Sequence, residues 1–278
     1  MSGTVRLRLR EGLDEPIEVD GLTPDRLASL SEREITGLPV WAGRRRAPLG
    51  DFFHVHGERA AIVRIEGLTR RVHGVAAHMA GGELVIDGEA GDGLALEMSG
   101  GVVDVRGRVG DDAGLAMRGG VLRIGGDAGD RLGAARAGAA VGMTGGEIVV
   151  RGSAGAEAGL ACRRGLIVIG GNAGAGAARS MIAGSLIALG TTGAGAGRFA
   201  RRGSVVCIGA VDVLETYRYA CTLSPPHLRL TMTYLNRRYG LGLAPEIVSG
   251  RYRRYCGDLL APGKGEILVW SSSAGSPV

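Results

Sequence analysis

Short apolar runs return at a fixed spacing through the middle of the chain. Glu-Leu-Val-Ile-Asp at 83–87, Val-Val-Asp-Val-Arg at 102–106 and Val-Leu-Arg-Ile-Gly at 121–125 are followed by Glu-Ile-Val-Val-Arg at 147–151, Leu-Ile-Val-Ile-Gly at 166–170, Ser-Leu-Ile-Ala-Leu at 185–189 and Ser-Val-Val-Cys-Ile at 204–208. Each is β-branched or aliphatic and predicts one strand of about 4–6 residues. Glycine punctuates them: a first set stands at 82, 101, 120, 146, 165, 184 and 203, in steps of 19, 19, 26, 19, 19 and 19. A second set keeps step at 88, 107, 126, 152, 171, 190 and 209, and a third at 91, 110, 129, 155, 174 and 193. Glycine takes positive φ without strain, which suits it to the corners between runs.

One such unit cannot bury its apolar side, whereas stacked copies can, with neighbouring strands about 4.8 Å apart in a parallel ladder. The expectation is an all-β chain: a right-handed parallel β-helix solenoid of about 19-residue Gly-rich coils, with small N- and C-terminal capping segments containing some helix. The 26-residue step is one repeat plus seven, with the extra residues expected as a loop bulging out around 132–141. A degenerate coil precedes the regular ones, where Ala61-Ile-Val-Arg-Ile-Glu-Gly67 aligns with Gly82 to Gly88. Three parts follow: a capping segment at 1–55, the repeats at 56–210, and a Tyr/Arg-rich capping and interaction segment at 211–278. In the first, alternation over Val5 to Arg10 predicts an edge strand, and Asp25 to Glu34 a short helix after Thr23-Pro24. In the last, Leu228, Met232, Leu235 and Tyr239 share a helical face closed by Gly240, although Leu228, Leu230, Met232 and Tyr234 also alternate as a strand would.

Composition narrows the class. Gly supplies 51 of 278 residues, about 18%, against a background near 7%, while aromatics are 4%. That disfavours a layered globule built on large aromatic anchors. A hydrophobic content of 45% disfavours disorder, and only 9 prolines disfavour collagen. The first residues place Arg at every second position where a signal peptide needs an apolar run. Residues 180–197 carry no charge but for Arg198 beyond their end, and five are Gly in step with the repeat, so no membrane partner is expected. Cys162, Cys207, Cys221 and Cys256 form no CxxC pair, which makes a reducing cytoplasm the default.

Candidate chemistry is sparse. Gly126-x-x-Gly129 and Gly171-Asn-Ala-Gly174-Ala-Gly176 follow strands as a dinucleotide loop does, but the next strand arrives where that loop needs a helix, so they read as corners. Gly263-Lys264-Gly265 fails the phosphate-loop pattern, with Asp258 in place of the leading Gly and Gly265 in place of Ser or Thr. His54-Val-His56, with His73 and His78, reads as strand packing rather than a metal site, because the repeats offer no later histidine until His227. Asp92, Asp111, Asp112, Asp127 and Asp130 crowd the early repeats, but a glycan-cleaving groove needs aromatic platforms and Phe199 is the one aromatic between Gly57 and Ala210.

Charge layout says more. Ten acids fall between 83 and 130, whereas 158–211 has none against six Arg. Arg179 aligns under Arg198 one repeat away, and Arg163 and Arg164 align with Arg201 and Arg202 two repeats away. Like charges at about 5 Å repel, so such stacking invites an anion or a partner's carboxylate; the alternative is a solvated basic edge. Tyr217-Arg-Tyr219, Arg237-Arg-Tyr239 and Arg251-Tyr-Arg-Arg-Tyr255 interleave rings with cations, but tyrosines in a cap read as packing and the net charge is only +5, so no nucleic-acid partner is expected.

The closing segment from Arg251 to Trp270, Arg-Tyr-Arg-Arg-Tyr-Cys-Gly-Asp-Leu-Leu-Ala-Pro-Gly-Lys-Gly-Glu-Ile-Leu-Val-Trp, resembles the signature of the C subunit of formylmethanofuran dehydrogenase and of its bacterial relative in the formyltransferase/hydrolase complex. The glycine repeats are similar to that family and to the C-terminal β-helix of glutamate synthase. The resemblance implies a non-catalytic scaffold subunit in a one-carbon hetero-oligomer whose other subunits hold the chemistry. In the archaeal enzyme a molybdenum or tungsten pterin subunit oxidises formylmethanofuran. In the bacterial assembly a formyl group passes from a tetrahydromethanopterin carrier to a methanofuran-type coenzyme and leaves as formate. Thirty-two Arg against Lys264 alone favour the bacterial version. No catalytic residue, metal ligand or prosthetic group carries over. The polyglutamate tail of a methanofuran-type coenzyme is the anion expected at Arg163, Arg179, Arg198 and Arg201, with Arg251, Arg253, Arg254 and Lys264 as a second set. The competing class is a stand-alone β-helix module binding an anionic ligand or nucleic acid.

Overall fold

A computed structural model describes residues 3–13 and 15–271. In chain order the strands are β1 (Thr4–Leu9), β2 (Ile17–Glu18), β3 (Pro39–Ala42), β4 (Arg45–Pro48), β5 (Phe53–His56), β6 (Ile62–Leu68), β7 (Val72–His73), β8 (Glu83–Gly88), β9 (Val102–Val105), β10 (Val121–Ile124), β11 (Glu147–Val150), β12 (Leu166–Ile169), β13 (Ser185–Ala188), β14 (Ser204–Cys207), β15 (Arg218–Leu223), β16 (Arg251–Gly257) and β17 (Gly265–Ser271). The helices are α1 (Pro24–Leu27), α2 (Glu32–Thr36), α3 (Pro226–Tyr239) and α4 (Pro245–Val248). The chain is mostly β, and none of the described helices is long and apolar enough to cross a membrane.

Thirteen strands form one sheet in the order β15-β16-β17-β14-β13-β12-β11-β10-β9-β8-β6-β1-β5. From β1 through β6 and β8 to β14, and on to β17, every pairing is parallel. Each glycine-bounded run therefore pairs with the corresponding run of the next repeat, as Leu84 does with Val103 and Ile167 with Leu186. A second line of contact runs through single bridges, Ala154↔Ala173 and Ala173↔Thr192 among them. Residues such as Ile86, Val105, Ile148, Ile169 and Leu186 point inward and are fully buried, each contributing about 1.5–3 kcal/mol by burial.

The outward side of the same strands changes character across the sheet. Following the register at one level gives His56, Arg6, Arg64, Val85, Asp104, Arg123, Val149, Val168, Ile187, Val206 and Leu268. The last five are buried in a second core with Leu228, Met232, Leu235 and Tyr239 of α3. Helix α3 begins with Pro226, whose missing N–H costs nothing there. It stops at Gly240, whose φ of 58° lies in the left-handed region, and its buried residues are the four of the helical reading. The strand reading fails because Leu230 is 72% exposed.

Several expectations need correction. β1 is not an edge strand: β5 folds back antiparallel beside it, so β5 takes the end position. The helix expected over Asp25 to Glu34 is two, because Ser31 caps a new start, accepting from the Glu34 N–H while Glu34 accepts in return from the Ser31 N–H. Leu132 to Ala135 stay buried in their repeat, so the inserted loop is narrower than 132–141, with 136–140 exposed. His54 and His56 do not pack; both are exposed, because Phe53 and Val55 take the inward positions of β5.

Candidate functional site

The glycine corners adjoin the arginines along the chain, as Asp130 precedes Arg131. Here the early carboxylates act on backbone. The Asp111 N–H donates to Asp92 Oδ1 at 2.9 Å, the Asp130 N–H to Asp111 Oδ1 at 2.9 Å, and the Ala156 N–H to Asp130 Oδ1 at 2.7 Å. A parallel ladder runs Asp127, Ser153, Asn172, Thr191, each N–H donating to the side chain one repeat earlier at 2.8–3.0 Å. Three glycines of the third set are explained by this, because a Cβ at Gly110, Gly129 or Gly155 would strike the carboxylate of the preceding repeat, while at Gly174 and Gly193 it would strike backbone. The Gly129 and Gly174 N–H groups donate to carbonyls of the preceding repeat, so they are not free to cradle a phosphate.

On the turn side of repeats 112–201 lies a groove of about 1270 Å³, walled at one end by 136–140 and at the other by Phe199 and Leu260 to Pro262. Arg131, Arg136, Arg179 and Arg201 line it, with Asp112 and Glu157. Arg131 grips Asp112 at 2.7 and 2.8 Å, and that bond lifts its pKa further. Arg136 reaches Glu97 at 3.0 Å and Arg179 reaches Glu157 at 3.1 Å. Arg201 makes no ion pair among the described residues. Arg131, Arg136 and Arg179 are each held by a carboxylate, which leaves Arg201 as the unpaired cation that draws an anion into a cleft also lined by Leu115, Leu160 and Ile182.

The arginines singled out from sequence thus separate. Arg179 and Arg201 line the groove, but Arg179 is not without a local acid, because its neighbour Glu157 comes from the preceding repeat rather than from the acid-free stretch itself. Arg198 lies over the Phe199 ring at 5.2 Å. Arg163 is exposed outside the groove. In the second set Arg254 is taken by Glu266 at 2.7 Å, while Arg251, Arg253 and Lys264 are exposed. Sequence reasoning missed Arg131, whose signal was Asp112 one repeat earlier, and Arg136, which stands in the inserted loop.

Asp258 was also missed as a functional element. It is fully buried, and its carboxylate accepts from the Phe199 N–H and the Leu260 N–H, both at 2.9 Å. Burial alone would raise its pKa, but these bonds, the Thr216 hydroxyl and the charge of Arg198 outweigh it and hold the acid below the usual range. Asp258 therefore fastens the closing signature to the end of the groove. Tyr217 fastens the same turn from inside, donating to the Gly197 carbonyl at 2.9 Å. Burial pushes the Cys162 and Cys207 thiols up to about 11, the wrong direction for a nucleophile. No group of three or more metal-ligating side chains occurs among the described residues.

No family model matches the chain. Over 87 residues it is 34% identical to the C subunit of a molybdenum-containing formylmethanofuran dehydrogenase of Methanosarcina barkeri, covering 30% of this chain and 29% of that protein. Over 85 residues it is 37% identical to the C subunit of the formyltransferase/hydrolase complex of Methylorubrum extorquens, covering 31% and 32%. These alignments span less than a third of either relative. The crystal structure of the Methylorubrum extorquens formyltransferase/hydrolase complex with methylofuran contains a chain that matches with a TM-score of 0.86 and 34% identity, over 96% of this chain and 100% of that one. Shared sequence along the full length of a shared backbone shows that the chain belongs to the family of formylmethanofuran dehydrogenase C subunits, which includes the C subunit of the formyltransferase/hydrolase complex.

Proposed function

We propose that this chain is the non-catalytic scaffold subunit of a cytoplasmic formyltransferase/hydrolase complex, in which other subunits pass a formyl group from a tetrahydromethanopterin carrier to a methanofuran-type coenzyme and release formate. The full-length likeness to a chain of that complex is the observation that carries the reading. The repeats at 56–210, wound as a right-handed parallel β-helix and capped by 1–55 and 211–278, give a rod on which subunits are aligned. Support for the winding comes from the 19-residue register and the second line of bridges. Arg179 and Arg201, with Arg131 and Arg136, are where a polyglutamate tail would lie.

Affinity purification of the tagged chain from its source organism tests this. Stoichiometric partners and formyl transfer to a methanofuran-type acceptor are expected; a monomer without partners overturns the reading. A second reading, the C subunit of a redox formylmethanofuran dehydrogenase, draws on the likeness to molybdenum- and tungsten-containing enzymes. Molybdenum or tungsten in the purified assembly would select it.

A further inference from the structure

The groove is not the one basic surface. Where β5, β1 and β6 meet, the outward positions are Arg6, Arg8, His54, His56, Arg64 and Glu66, brought together by the pairings Arg6↔His56, Arg8↔His54, Arg6↔Arg64 and Arg8↔Glu66. Arg6, Arg8, His54 and His56 are exposed, while Val5, Leu7, Phe53 and Val55 fill the inward positions. Among the described residues those four make no ion pair, and Arg64 approaches Asp87 at only 3.6 Å. Further along this side of the sheet Arg123 meets Asp104 at 3.2 Å, Arg106 meets Asp87 at 2.8 Å and α3 lies over β11–β14, while Glu83 of β8 stays exposed. Cations one strand apart, about 5 Å, repel each other and are relieved by an incoming anion.

We propose that this face docks a carboxylate-rich segment of a partner subunit. The inference rests on the reading of the chain as one member of an assembly. Charge complementarity selects the partner. The patch is three strands wide, about 10 Å, which suits a few acidic side chains. Glu66 closes the patch on β6, and on the next strands Asp87 and Asp104 hold Arg106 and Arg123, so the basic positions do not run on across the sheet as an extended phosphate backbone needs.

The test uses the intact assembly captured from cells carrying the wild-type chain or the Arg6→Glu/Arg8→Glu variant. Three results are expected together. The variant loses one partner at a salt concentration the wild type survives, with affinity lower by about tenfold or more. Its melting temperature is unchanged. In the wild-type assembly His54 and His56 are protected from diethyl pyrocarbonate relative to the isolated chain. Equal salt resistance of wild type and variant, or equal modification of the two histidines in both states, overturns the proposal. So does a nucleic acid whose digestion releases what the patch holds. A wild-type chain that captures no partner overturns the assembly reading itself, and this proposal with it.

Discussion

Strands β8–β10 and β11–β14 share one inward pattern and differ on the outward side, where Val85, Asp104 and Arg123 give way to Val149, Val168, Ile187 and Val206. In the first group burial alternates; in the second three consecutive residues of each strand are buried. The inward residues make the stack, and they do so equally in both. The outward residues decide what the stack carries: the charged Asp104 and Arg123 leave the face open beside Val85, whereas an unbroken run of apolar ones from Val149 onward recruits α3. The boundary is marked by Glu147 at the start of β11, whose carboxylate accepts from the Tyr234 hydroxyl at 2.9 Å and from the Tyr239 hydroxyl. Arg151 holds the helix end through the Tyr239 and Gly240 carbonyls.

The comparison breaks most readily at its covered half. Val168→Asp places an unpaired charge under α3 and is expected to lower the unfolding free energy by about 3–5 kcal/mol, measured by chemical denaturation. Val85→Asp, the same exchange in the open half, should change it by about 0.5 kcal/mol or less. Similar losses for the two would remove the distinction. Met232→Ala, over the same column, should cost about 2–5 kcal/mol through the cavity it leaves.

Asp258 sharpens the contrast through pH. Its pKa is lower folded than unfolded, so its contribution is full above the unfolded value near 3.9 and disappears as pH falls through the folded value. Acid titration of stability should therefore be steeper below about pH 4 for the wild type than for Asp258→Asn, with a difference of about 1–3 kcal/mol near neutrality. Identical profiles would mean that the carboxylate is not the fastening. A small effect is expected again in the open half, where Asp104→Asn removes a half-exposed partner of Arg123 and should cost less than about 1 kcal/mol.

Most of the stack was legible because its information is local and periodic: each run with its glycines states both its strand and its neighbour. The degenerate repeat was legible for the same reason, since β6 pairs with β8 at the 21-residue offset that aligning Ala61 with Gly82 gives. The groove was only half legible. Arg179 and Arg201 stood out in an acid-free stretch, but Glu157 and Arg131 act across repeats, so a count along the chain misses them. The failure at His54 and His56 has a different origin. Which side of an end strand is wet depends on where the chain folds back, and alternation alone does not name the side.

What this chain's sequence determined by itself is the repeat length, the strands of the repeats and their inward core, because each follows from spacing and side-chain size within a few residues, whereas helix was decided over strand in the closing segment by which residues are buried. The tertiary structure decided which outward residues would be covered, which carboxylate each arginine would meet, and that β5 rather than β1 would end the sheet. Those outcomes depend on contacts between residues from about 20 to about 100 positions apart, as with Arg131 and Asp112 or Tyr239 and Glu147, and distance along the chain does not encode them.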